Sequence, residues 1–342
     1  MRKSFFKEMN HLFNIDFITI KLSHVIILFI LWGAMVLYFR IAKRYGITDT
    51  PDKQSSHNYT AIRGGGIIFW LAGILFSVMH LPQSIFFIIG FILICGISFW
   101  DDISSLSAGT RLIIQFISVA LIFFDLGLCI HPSWMALIVV FIFCVGAVNA
   151  YNFMDGINGM TGLYSLVVLS SLQYINQYVI TFTQPDFIIY GILACIVFLF
   201  FNGRKHAECF AGDIGSIGIA FWIVTLLLQL ILATHDIIWI LFLAVYGVDT
   251  ACTIIHRIYL RQNIFKPHKL HFYQVWIEKT KSSHLFVSLI YAIVQLTICI
   301  IIICFKDKIS GIVLSFTLLG TLIAIYTLKF QYDTDGKMSK IN

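Results

Sequence analysis

Apolar runs of membrane-crossing length follow one another along most of this 342-residue chain, and they limit what it can become. Roughly, they cover 24–41, 64–80, 84–100, 112–130, 134–150, 159–175, 186–202, 214–233, 237–255, 284–304 and 310–329. A helix needs about 20 apolar residues to cross about 30 Å of hydrocarbon, and several of these runs sit at the short end of that requirement. Inside a bilayer each segment must satisfy its own backbone, so the runs are expected to be helices. The expected fold class is therefore all-α, a polytopic membrane helix bundle of about 11 transmembrane helices, with about 10 also allowed. Composition agrees, at 59% hydrophobic and 12% charged residues, where soluble domains carry about 25% charged. This excludes a pair of soluble domains, and no nucleic-acid polymer is expected as a partner. Residues 1–342 read as a single integral membrane domain embedded in the lipid bilayer.

Lysine and arginine are distributed unevenly. Loops after the odd-numbered runs hold Lys43, Arg44, Lys53, Arg63, Arg111, Arg204, Lys205 and a basic stretch from Arg257 to Lys281. Loops after the even-numbered runs hold only Lys306 and Lys308. By the positive-inside rule the odd loops are cytoplasmic and the N-terminus lies outside, although Arg2, Lys3, Lys7 and Lys21 precede the first run. No small-residue cleavage site follows 24–41, so that run is expected to be a retained span and not a signal peptide. The cysteines fall mostly inside apolar runs without CxxC spacing, which points to core packing and not to a disulfide framework or zinc site.

The polar motifs share the same parity, in loops at about 42–63, 101–111, 151–158, 202–213 and 256–283. Asp101 and Asp102 end the third run, where a helix C-terminus carries partial negative charge and a cation must offset them. Successive helical residues point about 100° apart, so both could serve one ligand only if the helix breaks there. Loop 42–63 carries Lys53, His57 and then Arg63-Gly-Gly-Gly66. Those glycines read either as a flexible turn or as amides that approach a phosphate closely. Asn152 and Asp155 would share a face if helical, although Asn-Phe-Met-Asp-Gly is also ordinary turn sequence. Asp213 is placed to cap the eighth run or to hold a metal. His268 and His271 lie in a basic loop suited to phosphate or to an anionic lipid surface. Asp249 lies inside the ninth run, where an ionisable residue is a functional candidate by default.

Taken together, Asp101, Asp102, Asp155 and Asp213 bring four carboxylates to one face, and they would repel unless a divalent cation is present. Lys53, Arg63, Arg204, Lys205, His268 and His271 surround them with phosphate-binding groups. Metal, diphosphate and an apolar bundle suggest phosphoryl transfer between a soluble nucleotide and a lipid phosphate. An ion-coupled secondary transporter is the rival reading, but transporters place their charges near the bilayer midplane and not at one surface.

The chain also resembles the polyprenyl-phosphate N-acetylhexosamine-1-phosphate transferases, relatives of phospho-N-acetylmuramoyl-pentapeptide transferase. The resemblance runs from about 49 to 274. It rests on Asp101-Asp102 with Leu106-Ser107 and Arg111, Asn152-Phe-Met-Asp-Gly156, Phe201-Asn202, Gly212-Asp-Ile-Gly-Ser216, Asp249-Thr250 and His268-x-x-His271. Ser55-Ser-His57 with Arg63-Gly-Gly-Gly is most similar to the branch that initiates O-antigen and other surface glycans. The resemblance implies transfer of a sugar 1-phosphate from a UDP-N-acetylhexosamine to undecaprenyl phosphate, with release of UMP at the cytoplasmic face of a bacterial inner membrane. It implies Mg2+ as cofactor, with Mn2+ acceptable, held by Asn152 and Asp213. Asp101 or Asp102 would orient or deprotonate the lipid phosphate, and Asp155 would serve the nucleotide or the metal. Lys53, His57, Arg63, Asn202, Ser216, His268 and His271 would bind substrate, and a homodimer is compatible with the family. Three positions depart from its pattern: Asn158 stands for an Asp, Gln54 for an Arg and Tyr246 for a Pro.

Overall fold

The computed structural model describes residues 21–51, 59–80, 85–128, 134–263 and 268–333. Helices dominate: α1 Leu22–Tyr45, α2 Ile67–Met79, α3 Ile85–Ile103, α4 Ala108–Asp125, α5 Trp134–Met154 and α6 Met160–Tyr178. They continue as α7 Pro185–Asn202, α8 Gly212–Thr234, α9 Ala244–Tyr259, α10 Phe272–Thr280, α11 His284–Phe305 and α12 Gly311–Asp333, with a 3-10 stretch at Ile237–Leu243 leading into α9. The chain is a polytopic all-α membrane protein. Among the described residues nine helices are long and apolar enough to cross a bilayer. The sequence count of eleven also included α2, only 13 residues long, and α6, whose Ser171, Gln173 and Asn176 are buried inside the bundle. The short α10 inside the basic loop was not foreseen.

Sequence chemistry explains the helix ends. Gly46 adopts φ +69° after α1, a left-handed conformation that glycine reaches without strain. The Ser107 hydroxyl accepts from Thr110 N (3.1 Å) to start α4, and Pro185 occupies the first turn of α7. The 3-10 stretch leaves backbone groups unsatisfied deep in the protein, and Gln295 of α11 answers them. Its Nε2 donates to Leu241 O (3.1 Å) and its Oε1 accepts from Val245 N (3.2 Å). Tyr246, where the family has proline, fills space differently: it stacks on Tyr164 with ring centroids 3.6 Å apart.

Helix α8 is the hub, packed against α2, α3, α5 and α6. Helices α1, α4, α5 and α12 turn large apolar side chains outward, including Phe29, Phe116, Met135 and Phe316, as a lipid-facing surface requires. The approach of α2 to α8 depends on glycine. A Cβ on Gly66 would stand 2.1 Å from Gly215 Cα. Gly66→Ala therefore forces the helices apart and is expected to cost about 1–3 kcal/mol, read as a lowered thermal unfolding midpoint in detergent. A midpoint equal to that of the parent protein would show that this contact is not tight.

Candidate active site

Two short segments are stitched together beside the hub. Residues 48–49 pair antiparallel with 61–62, and Ile62 N donates to Glu208 O (3.0 Å) while Phe210 N donates to Ile62 O (2.8 Å). The ladder continues from Gly65 N to Phe210 O (2.8 Å) and from Gly66 N to Ala211 O (3.0 Å). This corrects the phosphate-cradle reading of the glycine triplet, because two of its amides already serve the chain. The triplet is small so that 63–66 can lie against 208–215: a Cβ on Gly65 would meet Cys209 Sγ at 2.5 Å.

This seam delivers Arg63 to Asp102. Arg63 Nε donates to Asp102 Oδ1 (3.0 Å), and the carboxylate is wholly buried. Burial works against the Arg63 charge, but Asp102, with Asp213 and Asp49 nearby, holds its guanidinium above the ordinary value. Asp102 also accepts from Asp213 N (3.0 Å) and Ile214 N (3.1 Å). Sequence reasoning offered Asp213 as the cap of this helix; instead Asp102 caps α8 from the end of α3. Gly212, at φ +70°, makes room for it, since a Cβ there would lie 2.4 Å from Asp102 Oδ2. The carboxylate that opposes the dipole of α3 thus faces the positive end of α8.

Asp101 turns elsewhere, as the 100° helical offset requires. Its Oδ1 accepts from Leu106 N (2.6 Å) and its Oδ2 from Arg111 Nη1 (2.9 Å). The same Arg111 nitrogen donates to Asp213 Oδ2 (2.8 Å), so one guanidinium joins two of the expected acids. Sequence reasoning quoted Arg111 but gave it no role. The readable signal was a cation in the first turns of a helix, where the dipole disfavours it. Arg111 Nε is buried without a hydrogen-bond partner among the described residues.

The remaining expected residues meet the same helix ends. Asn152 Oδ1 accepts from Ser216 Oγ (2.6 Å), so Ser216 orients the amide oxygen from α8. Helix α5 stops at Met154, which leaves Asp155 off the helix, where its Oδ1 accepts from Thr161 Oγ1 (2.6 Å). Burial pushes the Asp155 carboxyl up to about 8; the Thr161 hydrogen bond opposes this, and the charges of Asp213 and Asp102 add to it. Asn202 is a strut, its Oδ1 accepting from Gly159 N (2.7 Å) and its Nδ2 donating to Cys209 O (2.8 Å). Asn158 likewise donates to Tyr59 OH (2.8 Å) and Arg204 O (2.8 Å), and the second of these is a contact an ionised aspartate could not make. Arg204 pairs with Glu208 and stacks on Phe200, which takes it away from the acids. Lys53 and His57 lie outside the described residues.

The histidine motif reaches this end through Asp249. His271 Nδ1 donates to Asp249 Oδ1 (3.1 Å), which also accepts from Phe272 N (3.0 Å), while Asp249 Oδ2 accepts from Tyr291 OH (2.7 Å). The buried carboxylate therefore fixes the tautomer and leaves Nε2 as the lone-pair nitrogen of His271. His268 lies beside it, ring centroids 5.0 Å apart, and Phe153, next to Asn152, lies 6.5 Å from His271.

Among the described residues no three His, Cys, Asp or Glu side chains form a ready metal cluster. The donors still suit a hard cation that keeps water and substrate phosphate as ligands, because Asn152, Asp155 and Asp213 all offer oxygen. The charges agree: the carboxylates of Asp101, Asp102 and Asp213 pair with only two guanidinium groups, those of Arg63 and Arg111, and the Asp155 carboxyl lies close enough to feel Asp213 and Asp102.

Bundle and cluster define a class, the polytopic membrane proteins with an acidic, arginine-bridged polar site at the helix ends. Residues 84–231 match the family described as glycosyl transferase family 4. Over 279 residues the chain is 28% identical to a probable undecaprenyl-phosphate N-acetylglucosaminyl 1-phosphate transferase of Bacillus subtilis (strain 168), covering 74% of this chain and 76% of that protein. It is 26% identical over 273 residues to the undecaprenyl-phosphate alpha-N-acetylglucosaminyl 1-phosphate transferase of Escherichia coli (strain K12), covering 72% and 73%. It is 28% identical over 239 residues to a phospho-N-acetylmuramoyl-pentapeptide-transferase of a Wolbachia species from Brugia malayi, covering 61% and 71%. The similarity to glycosyl transferase family 4 thus lies in residues 84–231, a little under half of the chain.

Proposed function

We propose that this protein moves an N-acetylhexosamine 1-phosphate from a UDP-sugar to undecaprenyl phosphate and releases UMP. An oxygen of the lipid phosphate attacks the sugar-bearing phosphorus, and the bond to the UMP oxygen breaks. The relatives carry the reaction class. The single structural observation behind it is the Asp101–Arg111–Asp213 bridge, which sets charged groups from α3, α4 and α8 at one point.

Each residue then has a task that its contacts support. Arg111, whose buried Nε has no partner among the described residues, has a donor left for a phosphate oxygen. Asp249 orients His271 so that its Nε2 can meet the diphosphate. Asp101 has less need to act as a base than the resemblance implies. A phosphate monoester with second pKa about 6 is already largely dianionic at neutral pH, so positioning it is the main requirement. Asn152 and Asp213 would hold magnesium, with Asp155 beside them; bound there, the ion neutralises charge on the diphosphate. Asp155 would give up its proton on taking a cation. The positive-inside pattern supports a cytoplasmic position for these loops, on the side where nucleotide sugars are found.

The direct experiment incubates purified protein with undecaprenyl phosphate and a panel of UDP-N-acetylhexosamines and measures UMP. Release that needs both the lipid phosphate and magnesium is expected. Absence of UMP with every donor, together with solute flux into proteoliposomes, would favour the transporter instead.

A further inference from the structure

Helix α12 presents a narrow inward stripe to the bundle. Within 311–330 its buried residues are Leu314, Leu322, Tyr326 and Lys329, and Lys329 is the only buried lysine among the described residues, at 0% exposure. A lysine at a helix end in a membrane protein normally extends along the surface to reach water. This one turns inward. Its Nζ donates to the Leu270 carbonyl, to Tyr326 OH (2.9 Å) and to His256 Nδ1 (3.5 Å), so three acceptors meet the three protons of an ammonium.

Leu270 lies between the two histidines of the motif. Its backbone N–H donates to His268 Nδ1 (3.2 Å), while its carbonyl is held by Lys329. A second route runs through side chains: Tyr326 OH lies 3.0 Å from Thr253 Oγ1, Thr253 donates to Asp249 Oδ1 (3.2 Å), and Asp249 accepts from His271 Nδ1. One ammonium thus reaches both histidines, the first through the backbone and the second through a hydroxyl relay.

We propose that Lys329 is a positioning residue for the histidine motif. It clamps the Leu270 carbonyl so that His268 and His271 meet a phosphate-bearing ligand in one fixed arrangement. This rests on the transfer reaction proposed above for its effect on turnover, though not for the clamp itself. The last helix is then part of the active-site framework and more than a membrane anchor. The electrostatics agree. Burial lowers the His268 pKa to about 4, and His271, Arg257 and Lys329 push it the same way, with Asp249 opposing. His268 is therefore neutral at pH 7, and loss of the Lys329 charge moves its titration upward.

The test uses the full chain in detergent with Lys329→Met, Lys329→Arg and Tyr326→Phe. In Lys329→Met, kcat is expected to fall by about tenfold to a hundredfold with the KM for UDP-sugar little changed, as misplacement of a catalytic group predicts. Lys329→Arg restores most of it. Independently of turnover, carbethoxylation of His268 and His271 by diethyl pyrocarbonate, read by peptide mass spectrometry, should quicken by about fivefold as the loop opens. If Lys329→Met does not accumulate, Tyr326→Phe carries both measurements, with smaller changes in the same direction. Parent-like kcat and parent-like histidine reactivity would overturn the proposal. So would a loss of activity that tracks a lowered melting midpoint and is not rescued by arginine. If the parent protein turns over no donor, the transferase reading fails, and histidine reactivity alone decides the clamp.

Discussion

Asp213→Ala is expected to lower kcat for UMP release by about a hundredfold to a thousandfold or more, the scale at which one fixed electrostatic group acts in a closed site. The protein should still fold. The Asp213 backbone N–H keeps its bond to Asp102, Arg111 keeps Asp101, and α8 remains buried among its neighbours. Thermal unfolding and size-exclusion profiles should therefore match the parent, while single-turnover assays at saturating magnesium show the loss. A variant with more than a tenth of parental kcat would remove Asp213 from the reacting centre.

Asp102→Asn should behave differently, although the two residues are hydrogen-bonded neighbours. Asp102 is wholly buried and accepts two α8 amides and Arg63 at once. Asparagine keeps at most one acceptor oxygen, turns its NH2 toward a donor, and leaves Arg63 without its counter-charge. Removing one partner of a buried ion pair costs about 3–5 kcal/mol, and the partial exposure of Arg63 places this case near the lower figure. Both stability and activity should fall, seen as a lower unfolding midpoint and faster proteolysis in detergent. Parental stability in this variant would show that the α3–α8 junction is held by packing and not by the carboxylate.

Much of the fold was legible in the sequence because a bilayer leaves few choices. Apolar runs became helices at nearly the expected positions, with α3 at Ile85–Ile103 and α7 at Pro185–Asn202. The convergence of the acids was legible from loop parity, and Asp101 and Asp213 do share one arginine nitrogen. What the sequence hid was division of labour. Asp101 and Asp102 look equivalent as letters, yet one caps a distant helix and the other holds Arg111, a difference fixed only when α3 and α8 pack. The glycines at 64–66 were read as a possible phosphate cradle because their flexibility is local information, whereas the segment they lie against starts at Glu208. Asn202 looked like a ligand, and its amide instead bridges Gly159 and Cys209. Lys329 was hidden for the same reason: nothing near it in the chain announces that it faces inward.

The junction at Asp102 also imposes an order on biogenesis. That carboxylate and the two amides it caps are 111 and 112 positions apart. Of the partners of Asp102, Arg63 precedes it in the chain, whereas the α8 amides are made only after four further helices. The junction therefore cannot close until the hub helix has been made.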